Sequence, residues 1–101
     1  MSITKKYLST KKVCKVTFAL PSGLAETASK ANLVGEFNNW DTEGLPMKKK
    51  NGSFTLTIEL QLNKKYQFRY LVDGKNWETD WDVDEIAPIP FSDELNSVVN
   101  V

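Results

Sequence analysis

Residues 54–62 read Phe-Thr-Leu-Thr-Ile-Glu-Leu-Gln-Leu, and this alternation decides the fold. Apolar side chains at every second position predict a half-buried β-strand, because successive side chains of a strand point to opposite faces. The pair Asn51-Gly52 just before the stretch predicts a tight turn, since both residues tolerate positive φ. We therefore expect a hairpin whose first arm covers residues 47–50.

The same two-residue period recurs on both sides of this hairpin. It is clear in residues 14–20 and 66–72. Apolar runs at 31–37 and 97–101 are bounded by turn residues, and the short stretch 76–78 follows the hairpin turn at Asp73-Gly74. About seven short strands and no convincing helix predict an all-β, immunoglobulin-like antiparallel β-sandwich.

The length and composition are those of one ordinary globular domain. The chain has 101 residues, of which 41% are apolar and 26% charged, so a packed core is expected. We assign residues 11–101 to a single β-sandwich, residues 1–10 to a loosely held N-terminal arm, and residues 24–30 to a loop. Cys14 is the sole cysteine, and its alternating apolar position predicts burial.

Several classes of function are disfavoured by the same composition. A net charge of zero provides no field that would attract nucleic acid or an anionic membrane. No apolar stretch has the length of a signal peptide or a membrane span, so we expect a cytoplasmic protein. The chain has no histidine and no recognisable nucleophile motif, and we expect no enzyme, no cofactor and no metal site. The acidic run of residues 80–85 lacks the pattern of a calcium loop and is interpreted as a solvated loop.

Two tryptophans stand next to turns. Residues 35–40 read Gly-Glu-Phe-Asn-Asn-Trp, and residues 73–77 read Asp-Gly-Lys-Asn-Trp. An indole held by a loop offers a flat apolar surface on which the C–H face of a sugar ring can stack, while nearby amides and cations bind the hydroxyls. The sequence therefore predicts a binding surface for carbohydrate.

From about Val16 to Val101 the chain resembles a known family. Its string Leu33–Trp40 and the later string Tyr66–Gly74, followed by Asn96–Val99, occur in the same order in the early-set domains of isoamylases and glycogen branching enzymes. They also resemble the glycogen-binding domain of the AMP-activated protein kinase β subunit. These domains are family 48 carbohydrate-binding modules, and the resemblance implies the early-set type of sandwich.

The resemblance implies four carbohydrate-binding residues in this chain. Trp40 and Trp77 are similar to the two stacking rings, Arg69 to the basic residue, and Asn96 to the terminal asparagine. Two positions depart from the family. At the first, Glu94 stands where a threonine is expected. The expected leucine falls near Ser92, and Phe91 or Leu95 are its candidate substitutes.

Each of these residues also has a structural interpretation. Trp40 and Trp77 are interpreted either as sugar-stacking rings or as covers of the sandwich edge. Arg69 is either a ligand contact or a solvated cation with an acidic partner, and Asn96 either a contact or a loop cap. Trp81 is expected to pack in the core or a loop.

Two functions follow. The first is non-catalytic binding of α-glucans such as glycogen, starch or maltooligosaccharides by aromatic stacking, with a glycogen-metabolising enzyme as a second candidate partner. The alternative is a structural or protein-interaction domain that docks on a partner enzyme without binding sugar, because one architecture supports many roles.

Overall fold

The alternating stretch forms the centre of a four-stranded antiparallel sheet in the computed structural model, which describes residues 3–8, 10, 12–50 and 52–101. This first sheet has the strand order β1-β2-β5-β4. Its strands are β1 Ile3–Tyr7, β2 Val13–Ala19, β4 Lys48–Lys50 and β5 Ser53–Gln61.

A second antiparallel sheet packs on the first. Its order is β3-β6-β9-β8, and β7 pairs with β6 beyond the end of β9. Its strands are β3 Ala31–Gly35, β6 Lys65–Val72, β7 Asn76–Glu78, β8 Glu85–Pro88 and β9 Leu95–Asn100. The predicted all-β, immunoglobulin-like antiparallel β-sandwich is thereby confirmed.

The core lies between the sheets and is built from the inward half of each alternating strand. Phe18 of β2 meets Phe68 of β6 edge to face, with ring centroids 5.0 Å apart, and Phe68 meets Tyr70 in the same way at 5.7 Å. Such tilted aromatic pairs stabilise a core beyond their buried area. Cys14 is fully buried as a free thiol, as predicted.

The predicted hairpin is confirmed by its register. Lys50 of β4 pairs with Ser53 of β5, and Gly52 between them has a φ of +79°. Asn51, the other residue of the predicted turn, lies outside the described residues. β4 is an edge strand with three exposed lysines, which discourage pairing with another chain.

Two strands were missed by sequence reasoning. β1 forms within the segment expected to be a loosely held arm, because Ile3 pairs with Phe18 and is buried with it. This corrects that expectation for residues 3–7. β8 forms within the expected acidic loop, and it pairs with β9 at the edge of the second sheet.

Short helices also interrupt the predicted pattern. Helix α1, Ser22–Ala25, occupies one turn where a loop was expected. A 3-10 helix, Glu36–Asn38, ends β3 at Gly35, earlier than the predicted strand end at residue 37. No helix within the described ranges is long and apolar enough to cross a membrane.

Asp80 corrects the expectation of a wholly solvated acidic segment. It is buried, and its carboxylate accepts a hydrogen bond of 2.9 Å from the hydroxyl of Tyr70. The backbone N–H of Asp80 donates to the hydroxyl of Ser97 on β9, and Asp82 N–H donates to the Asp80 side chain. Burial, and then the negative charge of Asp80, raise the pKa of Tyr70 and keep it the donor. These bonds fix the segment that follows β7.

Candidate functional site

The outer face of the second sheet carries its own buried layer. β6 turns Tyr70 into the core and Arg69 and Leu71 to the opposite side. Cross-strand partners share a face, so Val34, opposite Arg69, and Trp77, opposite Leu71, also lie on this side. Val34 and Leu71 are buried although both lie outside the central core cluster. Other parts of the chain therefore cover this outer face, and the side chains of Val34 and Leu71 lie beneath them.

Trp40 is held above this face by a braced loop. The side-chain oxygen of Asn38 accepts from Gly35 N–H at 3.0 Å, and its amide nitrogen donates to the carbonyl of Asp41 at 3.1 Å. Asn39 and Trp40 both have left-handed backbones, with φ of 56° and 58°. A bulky residue rarely adopts this conformation, and it persists only where the surroundings impose it. The Asn38 bonds thus impose the direction in which the indole leaves the loop.

The three residues before Asn38 anchor this loop to the sandwich. A Cβ on Gly35 would lie 2.6 Å from the carbonyl oxygen of Gln67, so only glycine fits against β6. The carboxylate of Glu36 accepts from Gln67 N–H at 2.6 Å. The ring of Phe37 packs on the core, with its centroid 5.7 Å from that of Phe18. The string from Gly35 to Trp40 is therefore one structural unit that positions an indole.

Trp77 is positioned by the hairpin between β6 and β7. Asp73 and Gly74 have left-handed backbones, with φ of 54° and 72°, and Lys75 completes the turn before β7. The Asp73 carboxylate accepts from the N–H groups of Ser29 and Lys30, which ties the turn to the segment before β3. These bonds to Lys30 and then Ser29 lower the pKa of Asp73. The result is an indole that stays partly exposed beside Arg69.

The four residues predicted to bind carbohydrate come together. Trp40, Arg69, Trp77 and Asn96 line one open depression of about 360 Å³ on the outer face. Trp40 and Trp77 are each 38% exposed, so neither ring is lost to the interior. Positions far apart in the chain thus converge on one surface.

Arg69 is buried, which corrects the interpretation of a solvated cation. Its side chain is on the outer face but only 8% of the residue is exposed, because the Trp77 ring lies against it with 5.4 Å between the guanidinium carbon and the ring centroid. One guanidinium nitrogen is 3.4 Å from the carboxylate of Glu94. The Nε atom of Arg69 is buried and has no hydrogen-bond partner in the part of the chain that the structure describes.

Asn96 also has a buried polar side-chain atom that lacks a hydrogen-bond partner among the described residues. Its amide nitrogen donates to the side-chain oxygen of Gln67 at 2.9 Å, while its own side-chain oxygen is buried and has no partner in the ranges that the structure describes. Buried polar atoms in native proteins are nearly always paired. Arg69 and Asn96, which both line the depression, thus each carry one exception to that rule.

Three further residues line the depression that sequence reasoning did not assign to the site, namely Thr42, Ile89 and Glu94. Glu94 was noted only as a departure from the family, and the structure shows that it pairs with Arg69. Thr42 lies two residues after Trp40, which is the one signal that points to it. Ile89 sits in the segment interpreted as a loop, between Pro88 and Pro90, and no sequence pattern points to it.

The loop between β8 and β9 presents Phe91 to solvent. Ser92 N–H donates to the carbonyl of Ile89, which closes a turn with Pro90 and Phe91 at its centre. Phe91 has a left-handed φ of 61° and its ring is fully exposed. Of the two candidate substitutes for the family leucine, Phe91 and Leu95, Phe91 is the more exposed.

Trp81 lies outside the depression. It is 68% exposed, which contradicts the expectation that it packs in the core or a loop. Its neighbours Asp80 and Asp82 are held by their own hydrogen bonds. Trp81 is thus an exposed indole that can serve as a comparison for Trp40 and Trp77.

The depression suits a flat, neutral, hydroxyl-rich molecule. Trp40 and Trp77 offer apolar faces, and Arg69 and Asn96 add polar side chains to the same lining. The charges of Arg69 and Glu94 offset one another, so the site has no strong preference for an ion. Its open shape allows a long chain to pass through without being enclosed.

Comparison with known proteins agrees with this geometry. The family model described as the glycogen recognition site of AMP-activated protein kinase matches residues 24–101. The chain is also similar to Protein PTST homolog 2, chloroplastic, of Arabidopsis thaliana, with 36% identity over 66 residues. That alignment covers 65% of this chain and 11% of the relative, so the chain spans a small part of that protein. Because the family model covers most of the sequence, the chain belongs to the glycogen recognition family of AMP-activated protein kinase.

Proposed function

We propose that this domain binds α-glucans, such as glycogen, starch or maltooligosaccharides, without catalysing a reaction on them. Trp40 and Trp77 stack on the faces of glucosyl rings, and Arg69 and Asn96 bind their hydroxyls. The observation that supports the proposal is the convergence of these four residues on one depression, where both indoles stay partly exposed.

The chemistry of the site supports binding rather than hydrolysis. Glycoside hydrolysis uses two carboxyl groups on either side of the bond that breaks. Among the described residues that line the depression, the single carboxylate is that of Glu94, and it is paired with Arg69. The site thus provides contacts for a sugar chain but no acid and base pair.

The expected affinity is modest. Each aromatic stack contributes roughly 0.5–1.5 kcal/mol beyond the buried area, and exposed hydroxyl contacts contribute little after desolvation. A dissociation constant between roughly 1 μM and 1 mM follows. Such an affinity is sufficient on a polymer, because many equivalent chain ends raise the effective concentration.

Calorimetric titration with maltoheptaose tests the proposal. We expect saturable binding that Trp40→Ala and Trp77→Ala each weaken about tenfold, through loss of one stack. Trp81→Ala is the matched control, since it removes an exposed indole outside the depression and should leave the affinity unchanged. A β-1,4-linked cellooligosaccharide of similar length controls for the linkage.

Absence of heat and of amide shifts at millimolar maltoheptaose would overturn the proposal. The alternative function, docking on a partner enzyme without sugar, predicts that result together with a loss of stability in Trp40→Ala. We also propose a cytoplasmic location and a glycogen-metabolising enzyme as a protein partner, which cell fractionation and co-purification with such an enzyme would test.

A further inference from the structure

A second depression adjoins the first on the outer face of the second sheet. It has a volume of about 190 Å³, and its walls come from the ends of β3 and β6 and from the loop after Trp40. Thr42 lines both depressions. The lining residues are Lys30, Asn32, Thr42, Glu43, Leu71 and Gly74.

The two depressions follow one direction along the sheet. Asn32, Leu71 and Trp77 form one row across β3, β6 and β7, because Leu71 pairs with both of the others. Arg69 lies two residues before Leu71 on the same face of β6, a separation of about 7 Å. A chain that leaves the first depression along the direction of β6 therefore reaches the row of Asn32 and Leu71 next, past the shared residue Thr42.

The second depression is lined by both donors and acceptors. Lys30 and Glu43 carry opposite charges, and Thr42 and Asn32 add a hydroxyl and an amide. The Asn32 amide nitrogen donates to the backbone carbonyl of Thr42 at 2.9 Å, which fixes the shared wall. The Lys30 amine lies beside Gly74, 3.6 Å from where a Cβ on that residue would be. Offsetting charges and mixed hydrogen-bonding groups fit neutral hydroxyls better than a phosphate.

We propose that this second depression is an additional subsite for a glucosyl unit of the same α-glucan chain. The inference rests on the proposed function and deepens it, because it makes the domain selective for chain length. A short oligosaccharide occupies the depression between the tryptophans. A longer one also contacts Lys30, Asn32 and Glu43 beyond Thr42.

Calorimetry with maltotriose and maltoheptaose tests the subsite. We expect Lys30→Ala/Glu43→Ala to lower the affinity for maltoheptaose about fivefold, since two polar contacts are lost, and to leave that for maltotriose unchanged. The matched control is Lys15→Ala/Glu59→Ala, which removes one lysine and one glutamate that pair across β2 and β5 in the other sheet. It should change neither affinity.

A second measurement uses the unchanged protein. The backbone amides of Asn32 and Gly74 should shift in NMR spectra with saturating maltoheptaose and stay in place with saturating maltotriose. Equal effects of the double variant on both sugars, or amides that do not respond to maltoheptaose, would overturn the subsite while leaving the aromatic site in place. Failure of the unchanged protein to bind either sugar would overturn the proposed function, and the subsite with it.

Discussion

The guanidinium of Arg69 lies against the ring of Trp77, with the central carbon 5.4 Å from the ring centroid. The two residues are on neighbouring strands, and the stacked arrangement explains why Arg69 is buried on a face that sequence periodicity assigned to solvent. A cation over an indole contributes about 0.5–1 kcal/mol at exposed sites and more where water is excluded. Arg69 therefore contacts Trp77 directly, in addition to the contact with sugar that the proposed function gives it.

Replacement of Arg69 by lysine tests this double role. Lysine keeps the charge but lacks the planar group that stacks on an indole and donates in a fixed direction. We expect Arg69→Lys to weaken maltoheptaose binding about tenfold and to shift the Trp77 side-chain N–H signal even without sugar. Lys64→Arg, an exposed change on the turn between β5 and β6, is the control. An unshifted Trp77 signal would mean that the stacked contact does not position the ring.

Glu94 pairs with the guanidinium of Arg69, the group that binds sugar hydroxyls in the proposed function. Its carboxylate is 3.4 Å from that guanidinium and is largely exposed, so water screens the pair although Arg69 is buried. We expect Glu94→Gln to change the free energy of unfolding by less than about 1 kcal/mol and to raise the affinity for maltoheptaose severalfold, because Arg69 becomes free to bind hydroxyls. Calorimetry together with urea unfolding measures both. A fall in affinity would show that Glu94 is instead a contact for the sugar.

Because Phe91 has a left-handed backbone, its replacement by glycine should affect stability and glucan binding in opposite directions. Glycine adopts this conformation without the penalty of about 1–2 kcal/mol that other residues incur, and it also gains freedom in the unfolded chain. We expect Phe91→Gly to raise the free energy of unfolding by up to about 1 kcal/mol and to weaken glucan binding through loss of the exposed ring. Phe91→Asn, which tolerates the same φ, is the second variant. Unchanged affinity in both would place the ring outside the path of the glucan.

Asp80 predicts a large effect on stability. Its carboxylate accepts a hydrogen bond of 2.9 Å from the buried hydroxyl of Tyr70. Removal of Asp80 leaves that hydroxyl with the longer contact of 3.3 Å to the carbonyl of Ala19. We expect Asp80→Ala to lower the free energy of unfolding by about 2–4 kcal/mol. Asp93→Ala, an exposed change, should stay within about 0.5 kcal/mol. Equal losses in thermal or urea unfolding would show that the Tyr70 bond does not stabilise the fold.

Asp84 links the two sheets, and its carboxylate should make the stability of the fold depend on pH in the acid range. Its carboxylate is 2.6 Å from the Lys5 amine on β1 and accepts from Asn100 N–H on β9. Partial burial acts to raise its pKa, but the hydrogen bond from Asn100 and the ion pair with Lys5 outweigh burial, so the pKa of Asp84 is lowered. The hydrogen bond from Lys65 likewise lowers the pKa of Glu85.

A carboxyl group whose pKa is lower in the folded protein stabilises the fold when it is ionised. That contribution is complete above its unfolded pKa of about 4 and is lost as the pH falls through the folded value. We expect the urea midpoint to fall steeply below about pH 4. Asp84→Asn should lower the midpoint at pH 7 and make its decline in acid shallower. An unchanged slope would show that other groups set the acid limit.

Much of the fold was predictable because its strands alternate. Strands β2, β5 and β6 each have one apolar face. Burial of that face specifies the register in which the strand pairs with its neighbours. β1 and β8 were missed because their sequences are rich in charges or contain proline. β1 is placed by its pairing with β2 and the burial of Ile3, and β8 by its pairing with β9.

The candidate site was predictable in part. Trp40, Arg69, Trp77 and Asn96 were inferred from the family resemblance, and the structure brings them together, while their contact with sugar stays a prediction. The burial of Arg69 and the exposure of Trp81 were not anticipated, because both depend on how loops fold over the sheet and not on strand period. For the same reason, the sequence did not indicate that Ile89 lines the depression.

The braced loop at Asn38 has a consequence for the thermodynamics of recognition. With Asn39 and Trp40 held in a left-handed backbone, the indole is oriented before any ligand arrives. Such preorganisation spares the entropy that ordering a mobile loop consumes on association. With the proposed function, we therefore expect the domain to bind and release glucan rapidly, and to move between neighbouring branches of a polymer without any reordering of this loop.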